Sequence, residues 1–192
     1  MPLTTALTLK WLRLRAWVLL AVGQRDEALL CFQSMLRVQP QHPFALASRA
    51  HLRMQAGQTQ AALDDLRALT QVAPTEAAHW FNLGFVLQKA AQAEEAVAAF
   101  QEATRLDPKL DRAWYGLGLS LLELHRLDEA IAAFKRNTEL QPMSPYGWTQ
   151  LARAWVQAEQ PAKAKKAVEH LRGFEPKVAE ALTHELKLDA SA

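Results

Sequence analysis

The chain has 192 residues, half of them hydrophobic and 22% charged, a balance that can bury a core and excludes a disordered polymer. Glycines number only seven, and Val, Ile and Thr are sparse beside Ala, Leu, Gln, Glu, Lys and Arg, which is helix vocabulary. A formal net charge of +2 argues against a general nucleic-acid or membrane-surface binder, and the lone Cys31 excludes an intrachain disulfide.

The first predicted helix covers residues 5–22 and includes LTLKWLRLRAWVLLAV. Its apolar stretch AWVLLAVG follows Lys10, Arg13 and Arg15 in the manner of a signal segment, but no A-x-A site comes after it. The run is also far shorter than the roughly 18 residues of a membrane span. With Cys31 unpaired, the expected location is the cytoplasm. Gly23 then marks a tight turn into a second helix, 25–38, whose RDEA start puts carboxylates where the helix dipole favours them. Helices 43–57 and 59–72 follow, joined at Gly57, and then 76–91 with 93–106, 110–125 with 127–140, and 144–159 with 161–173. KVAEALTHELKLD reads as an eleventh, solvating helix over 177–189, and the closing ASA reads as frayed.

The pairs repeat one another. Prolines stand at Pro40, Pro74, Pro108, Pro142 and Pro176, each 34 residues from the last. Alanines at Ala28, Ala62, Ala96, Ala130 and Ala164 keep the same spacing, each followed four positions on by Phe32, Leu66, Phe100, Phe134 or Val168. Earlier in each unit comes Leu12, Leu46, Trp80, Trp114 or Trp148, then a small residue at Ala16, Ala50, Gly84, Gly118 or Ala152. The large and small residues share one helix stripe, so a second helix can approach closely over the small one. The proline closes the unit, because it cannot extend the helix before it and suits the start of the next.

The pattern W-x-x-L-G…A-x-x-x-F…P resembles the tetratricopeptide repeat, carried most fully by Trp80, Leu83, Gly84, Leu87, Ala96, Phe100 and Pro108 and by Trp114, Leu117, Gly118, Leu121, Ala130, Phe134 and Pro142. Arg15 and Arg49 depart from it, standing where the family prefers Leu. The resemblance implies an all-α, right-handed α-α superhelix of five helix pairs plus a C-terminal capping helix. One domain, 1–192, would hold repeats at 9–42, 43–76, 77–110, 111–144 and 145–176 and the cap at 177–189.

Catalytic chemistry finds little support. His42, His51, His79, His125, His170 and His184 form no i, i+4 pair and no H-E-x-x-H, and Cys31 lies mid-helix beside Phe32. Phosphate loops and nucleophile elbows are absent, and GLGLS at 116–120 lies inside a helix at the small position of the repeat. No cofactor and no enzymatic activity are expected. Lys163, Lys165, Lys166 and Arg172 make the strongest basic run, with Glu159, Glu169 and Glu175 around it. A solvated helix face is the expectation there, and an RNA-associated regulator is the alternative.

The resemblance further implies a groove lined by the first helix of each pair. Its stripes here are Arg13, Trp17 and Leu20; Ala47, His51 and Met54; Phe81, Phe85 and Gln88; Tyr115, Leu119 and Leu122; and Thr149, Arg153 and Val156. Lys10, Phe44, Ala78, Arg112 and Tyr146 stand one turn earlier. Phe44, His51, Phe81, Asn82, Phe85, Arg112, Tyr115, Leu119, Tyr146 and Arg153 are therefore the candidate peptide-binding residues. Aromatic anchors with cations suit an extended or helical protein segment carrying apolar and acidic groups. Asn82 and Arg112 also fall on two positions of the family's carboxylate clamp, but Ala47, His51 and Gly116 occupy others, so that clamp is incomplete. The N-terminal helix is apolar nearly all round. Trp11, Leu14, Trp17 and Val18 form a second candidate surface, through which the chain would act as an assembly or stability factor; a second copy, another protein or membrane complex, a membrane surface, or residues 1–8 folding back would cover it.

Overall fold

A computed structural model describes residues 2–188, and the closing ASA lies outside the described residues. Within them the chain forms eleven α-helices and no strand. These are α1 (Pro2–Ala21), α2 (Arg25–Val38), α3 (Pro43–Gln55), α4 (Thr59–Val72), α5 (Ala77–Lys89) and α6 (Ala93–Leu106), followed by α7 (Asp111–Glu123), α8 (Leu127–Leu140), α9 (Pro145–Gln157), α10 (Pro161–Arg172) and α11 (Pro176–Glu185). The chain separates into two compact units, Met1–Ala90 and Ala91–Ala192.

In the first unit α1 packs on α2, α2 on α3, α3 on α4 and α4 on α5. In the second, each helix from α6 to α11 packs on the next. Neighbours in sequence are neighbours in space because each connection is only a few residues long, which forces antiparallel packing. Continuous helix from Pro2 corrects the fold-back expectation for residues 2–8, which lengthen α1 instead of covering it.

The 34-residue period has three physical roots. The first is close approach at the small position. A Cβ on Gly118 would stand 2.5 Å from the ring of Phe134, a fully buried side chain, so this phenylalanine occupies the space that the glycine leaves. The second is a hydrogen bond across the six-residue Pro–Trp spacing. The indole Nε1 of Trp80 donates to the Pro74 carbonyl at 2.8 Å, that of Trp114 to Pro108 at 3.0 Å, and that of Trp148 to Pro142 at 2.9 Å. These tryptophans are half-buried, each placing its ring in the pair while its N–H reaches the connection before the helix. The third root is the turn. Residues 23, 57, 91, 125 and 159 all have left-handed backbones, with φ of 79° at Gly23, 72° at Gly57, 56° at Ala91, 56° at His125 and 58° at Glu159. Only two are glycine, so three units adopt this turn against the usual steric preference.

The departure at Arg49 is balanced on the neighbouring helix. Asp65 of α4 is 3% exposed and accepts from Arg49 Nε at 2.9 Å and from Arg53 Nη1 at 2.7 Å. At the same repeat positions α5, α7 and α9 carry Leu83, Leu117 and Leu151, while α6, α8 and α10 carry Ala99, Ala133 and Ala167. The second helix pair has exchanged an apolar contact for an ionic one.

Candidate functional site

On the first unit, the first-helix residues predicted for binding converge on the face shared by α1 and α3. An open depression of about 510 Å³ is bordered by Lys10, Arg13, Trp17, Phe44 and Ser48, with buried Phe32 of α2 as its floor. A second depression of about 510 Å³ continues from Phe44 past Ala47 to His51 and Gln55. Phe44 is the hinge of both. Pro43 at the start of α3 and the His42 side chain, whose Nδ1 accepts from Ala45 N at 3.3 Å, fix where that helix begins and hence where Phe44 stands.

The electrostatics of this face have one sign. The Arg13 guanidinium carbon lies 4.3 Å over the Phe44 ring, and Phe44 meets Phe32 edge-on at 5.9 Å. Lys10, Arg13 and Arg25 border the two depressions and no carboxylate does. The exposed His51 shares a 3.0 Å hydrogen bond with Gln55. On α5, Phe81 stacks on Phe85 with centroids 6.4 Å apart, Phe85 stays exposed, and the Lys89 ammonium stands 5.6 Å from its ring. Asn82 is exposed beside them.

The second unit treats its predicted residues differently. Tyr146 is exposed, Arg112 is exposed, and Leu119 is half-buried. Tyr115 meets the buried Phe134 edge-on at 6.0 Å, so its ring serves packing within the pair. Arg153 is held by Glu185 of α11 through two hydrogen bonds, Nε at 2.8 Å and Nη2 at 2.9 Å. Those bonds keep the Glu185 carboxyl below the ordinary carboxylate range and raise the Arg153 guanidinium further. This pairing joins residues 32 apart on separate helices, and nothing in their local sequence signals it.

The N-terminal candidates are all solvent-facing: Trp11, Leu14, Trp17 and Val18 are exposed along α1. Trp17 and Leu14 also border the α1–α3 depression, so the two candidate surfaces share an edge. The floor residue Phe32 and the rim residue Ser48 were missed by the sequence reading, because both depend on how α2 and α3 sit against α1.

The remaining chemistry-bearing residues stay apart. Among the described residues no three His, Cys, Asp or Glu side chains are grouped to hold a metal ion. Cys31 is buried, and burial pushes its thiol above the ordinary value although Arg15 acts in the opposite direction. Along the basic run, Arg172 pairs with Glu169 at 2.6 Å, and the Lys163 ammonium lies 4.3 Å from the Trp155 ring, an aromatic that α9 supplies. No helix of the described residues is long and apolar enough to cross a membrane.

Residues 86–145 match the sequence profile of the tetratricopeptide repeat. No curated protein sequence matches the chain. Among solved structures, a MamA protein aligns with a TM-score of 0.82 and 21% identity, over 94% of this chain and 96% of that one. YrrB, described as a tetratricopeptide-repeat protein with an unusual peptide-binding site, aligns with a TM-score of 0.78 and 20% identity over 88% of each chain. PilF of Pseudomonas aeruginosa aligns with a TM-score of 0.70 and 18% identity, over 97% of this chain and 94% of that one. At these identities the likeness is one of fold. Residues 86–145 therefore carry tetratricopeptide repeats, and the chain as described has the all-α fold of the tetratricopeptide-repeat solenoids.

Proposed function

We propose that the chain is a non-enzymatic binding module that holds a protein segment against the α1–α3 face of its first unit. The segment carries an apolar anchor that enters the depression over Phe32 and acidic groups that meet Lys10 and Arg13. The observation that carries this reading is the Arg13–Phe44 pair, an exposed aromatic with a cation 4.3 Å above it, on a face bordered by no carboxylate. Aromatic and arginine side chains around a concave apolar floor are the usual anchors of peptide recognition. Tetratricopeptide folds serve protein–protein contacts in general, and the peptide site named in the description of YrrB supports the same role here. Phe81 and Phe85 with Lys89 extend the recognition surface along α5. The lone, buried Cys31 fits a reducing compartment, and we place the protein in the cytoplasm on that ground.

Selection from a random peptide-display library on the purified chain tests this. The selected peptides should combine Asp or Glu with Leu, Phe or Trp within a few residues, and should bind less tightly as salt rises, though not with the steep slope of phosphate binding. Selected peptides that lack acidic residues, or that bind Arg13→Glu and wild type equally, would refute the reading.

A further inference from the structure

On α1, Leu7, Trp11, Leu14 and Val18 recur at intervals of four, three and four residues and form one exposed stripe, with Trp11 56% and Leu14 62% exposed. That interval is the seam of a helix pair. The repeat explains what the stripe corresponds to. The positions of Trp11, Leu14 and Val18 are taken in α7 by Ala113, Gly116 and Ser120, all buried, and in α9 by Gly147 and Ala154, also buried, with Gln150 between them. In those helices the stripe receives the second helix of the preceding unit. A Cβ on Gly116 would stand 2.5 Å from the Phe100 ring of α6, and Gly147 faces Asn137 of α8 in the same way. In α1 the stripe carries large side chains where α7 carries only small ones and α9 carries Gly147 and Ala154. A helix presenting its own phenylalanine, as α6 does to Gly116, has no room there, so the occupant must interleave with bulky knobs.

We propose that this occupant is α1 of a second copy, running antiparallel. The stripe is its own complement in that direction: Leu7 meets the Val18 of the other copy, Trp11 meets its Leu14, and the reverse pairs follow by the two-fold axis. The charges select the direction. Lys10 and Arg15 flank opposite edges of the stripe, and α1 carries no acidic residue. A parallel pair would set Lys10 of each copy beside Arg15 of the other, a like-charge contact on both edges. An antiparallel pair sets each Lys10 beside the exposed Trp17 ring of the other copy, a cation–π arrangement, and leaves each Arg15 beside Thr8. The stripe buries on the order of 400 Å² per copy, about half of a standard interface. The dimer is therefore weak and concentration-dependent.

Sedimentation velocity on the 192-residue chain, from on the order of 10 µM to 1 mM, tests the proposal. Wild type should move from monomer to dimer. Trp11→Glu with Val18→Glu should remain monomeric while keeping the wild-type helical signal and melting. Neither residue borders the α1–α3 depression, so selected peptides should still bind this variant. Lys10→Glu reports the direction, weakening an antiparallel dimer about ten-fold through loss of both symmetry-related cation–π contacts and tightening a parallel one by facing Arg15. A wild type that stays monomeric throughout, or a dimer that survives the double substitution, would overturn the proposal. A dimer tightened by Lys10→Glu would overturn its antiparallel form.

Discussion

The indole nitrogen of Trp114 donates to the carbonyl oxygen of Pro108 at 3.0 Å, and the same bond recurs from Trp80 to Pro74 and from Trp148 to Pro142. It ties the start of α5, α7 and α9 to the connection that precedes each, so in these three units the proline and the tryptophan act as one device. Trp114→Phe keeps most of the ring contact and loses the bond, and should cost about 1 kcal/mol in urea unfolding. Trp114→Ala should cost about 2–3 kcal/mol, below the range for a fully buried ring because this one is half-buried. Equal losses for the two variants would place the whole contribution in the hydrogen bond and contradict the packing role.

The Arg49–Asp65–Arg53 cluster predicts a substitution series with a change of direction. Asp65→Ala strands two guanidinium groups that are each about one-fifth exposed, 20% and 19%, and should lower stability by about 2–4 kcal/mol. Arg49→Leu, Arg53→Leu and Asp65→Ala together restore the residues found at these positions in α5 with α6 and in α7 with α8. That triple variant should lie within about 1 kcal/mol of wild type, or above it. A triple variant as unstable as Asp65→Ala alone would mean the cluster has a role that apolar packing cannot replace.

Gly118 sits within α7, where Gly→Ala ordinarily stabilises a helix by about 1 kcal/mol. Here the added methyl meets the buried Phe134 ring at 2.5 Å. Gly118→Ala should therefore destabilise, by about 1–3 kcal/mol. A rise in the melting temperature would show that the two helices can separate at no cost.

Arg153 lowers the protonation range of the Glu185 carboxyl. A carboxylate whose pKa falls on folding contributes stability above its unfolded pKa, and that contribution disappears as the pH drops through the folded value. Because both side chains are more than a third exposed, solvent screens the pair and global stability should move within about 0.5 kcal/mol. The visible effect is local: Glu185→Gln, or acidification below the ordinary carboxylate range, should speed amide exchange in α11 relative to α9. Exchange that does not change would leave the pair without a role in seating the last helix.

The helix pairs were legible because each demands a stripe of large and small residues, and the stripes recur 34 positions apart. Gly23 and Gly57 marked two turns. Ala91, His125 and Glu159 adopt the same left-handed backbone with no glycine to announce it, and only the period points to them. The Asp65 partnership was hidden because Arg49 and Asp65 lie on different helices, and the repeat marks Arg49 only as a departure from Leu. Phe44, Trp17 and Arg13 were legible as first-helix residues, but their convergence over Phe32 depends on the approach of α1 to α3. Tyr115 and Phe44 each meet a buried phenylalanine edge-on, at 6.0 Å and 5.9 Å, a contact that position in the repeat does not announce.

On the proposed reading, the α1–α3 face of the first unit takes an apolar, acidic protein segment. The most direct measurement is the affinity of a display-selected peptide for wild type and for Arg13→Glu with Phe44→Ala, by calorimetric titration. Arg13 is exposed and Phe44 is partly covered by Phe32, so the variant should keep its helical signal while its melting temperature falls modestly. Binding should weaken at least about ten-fold, the size of one lost anchor contact. A folded variant that binds the peptide as tightly as wild type would contradict it.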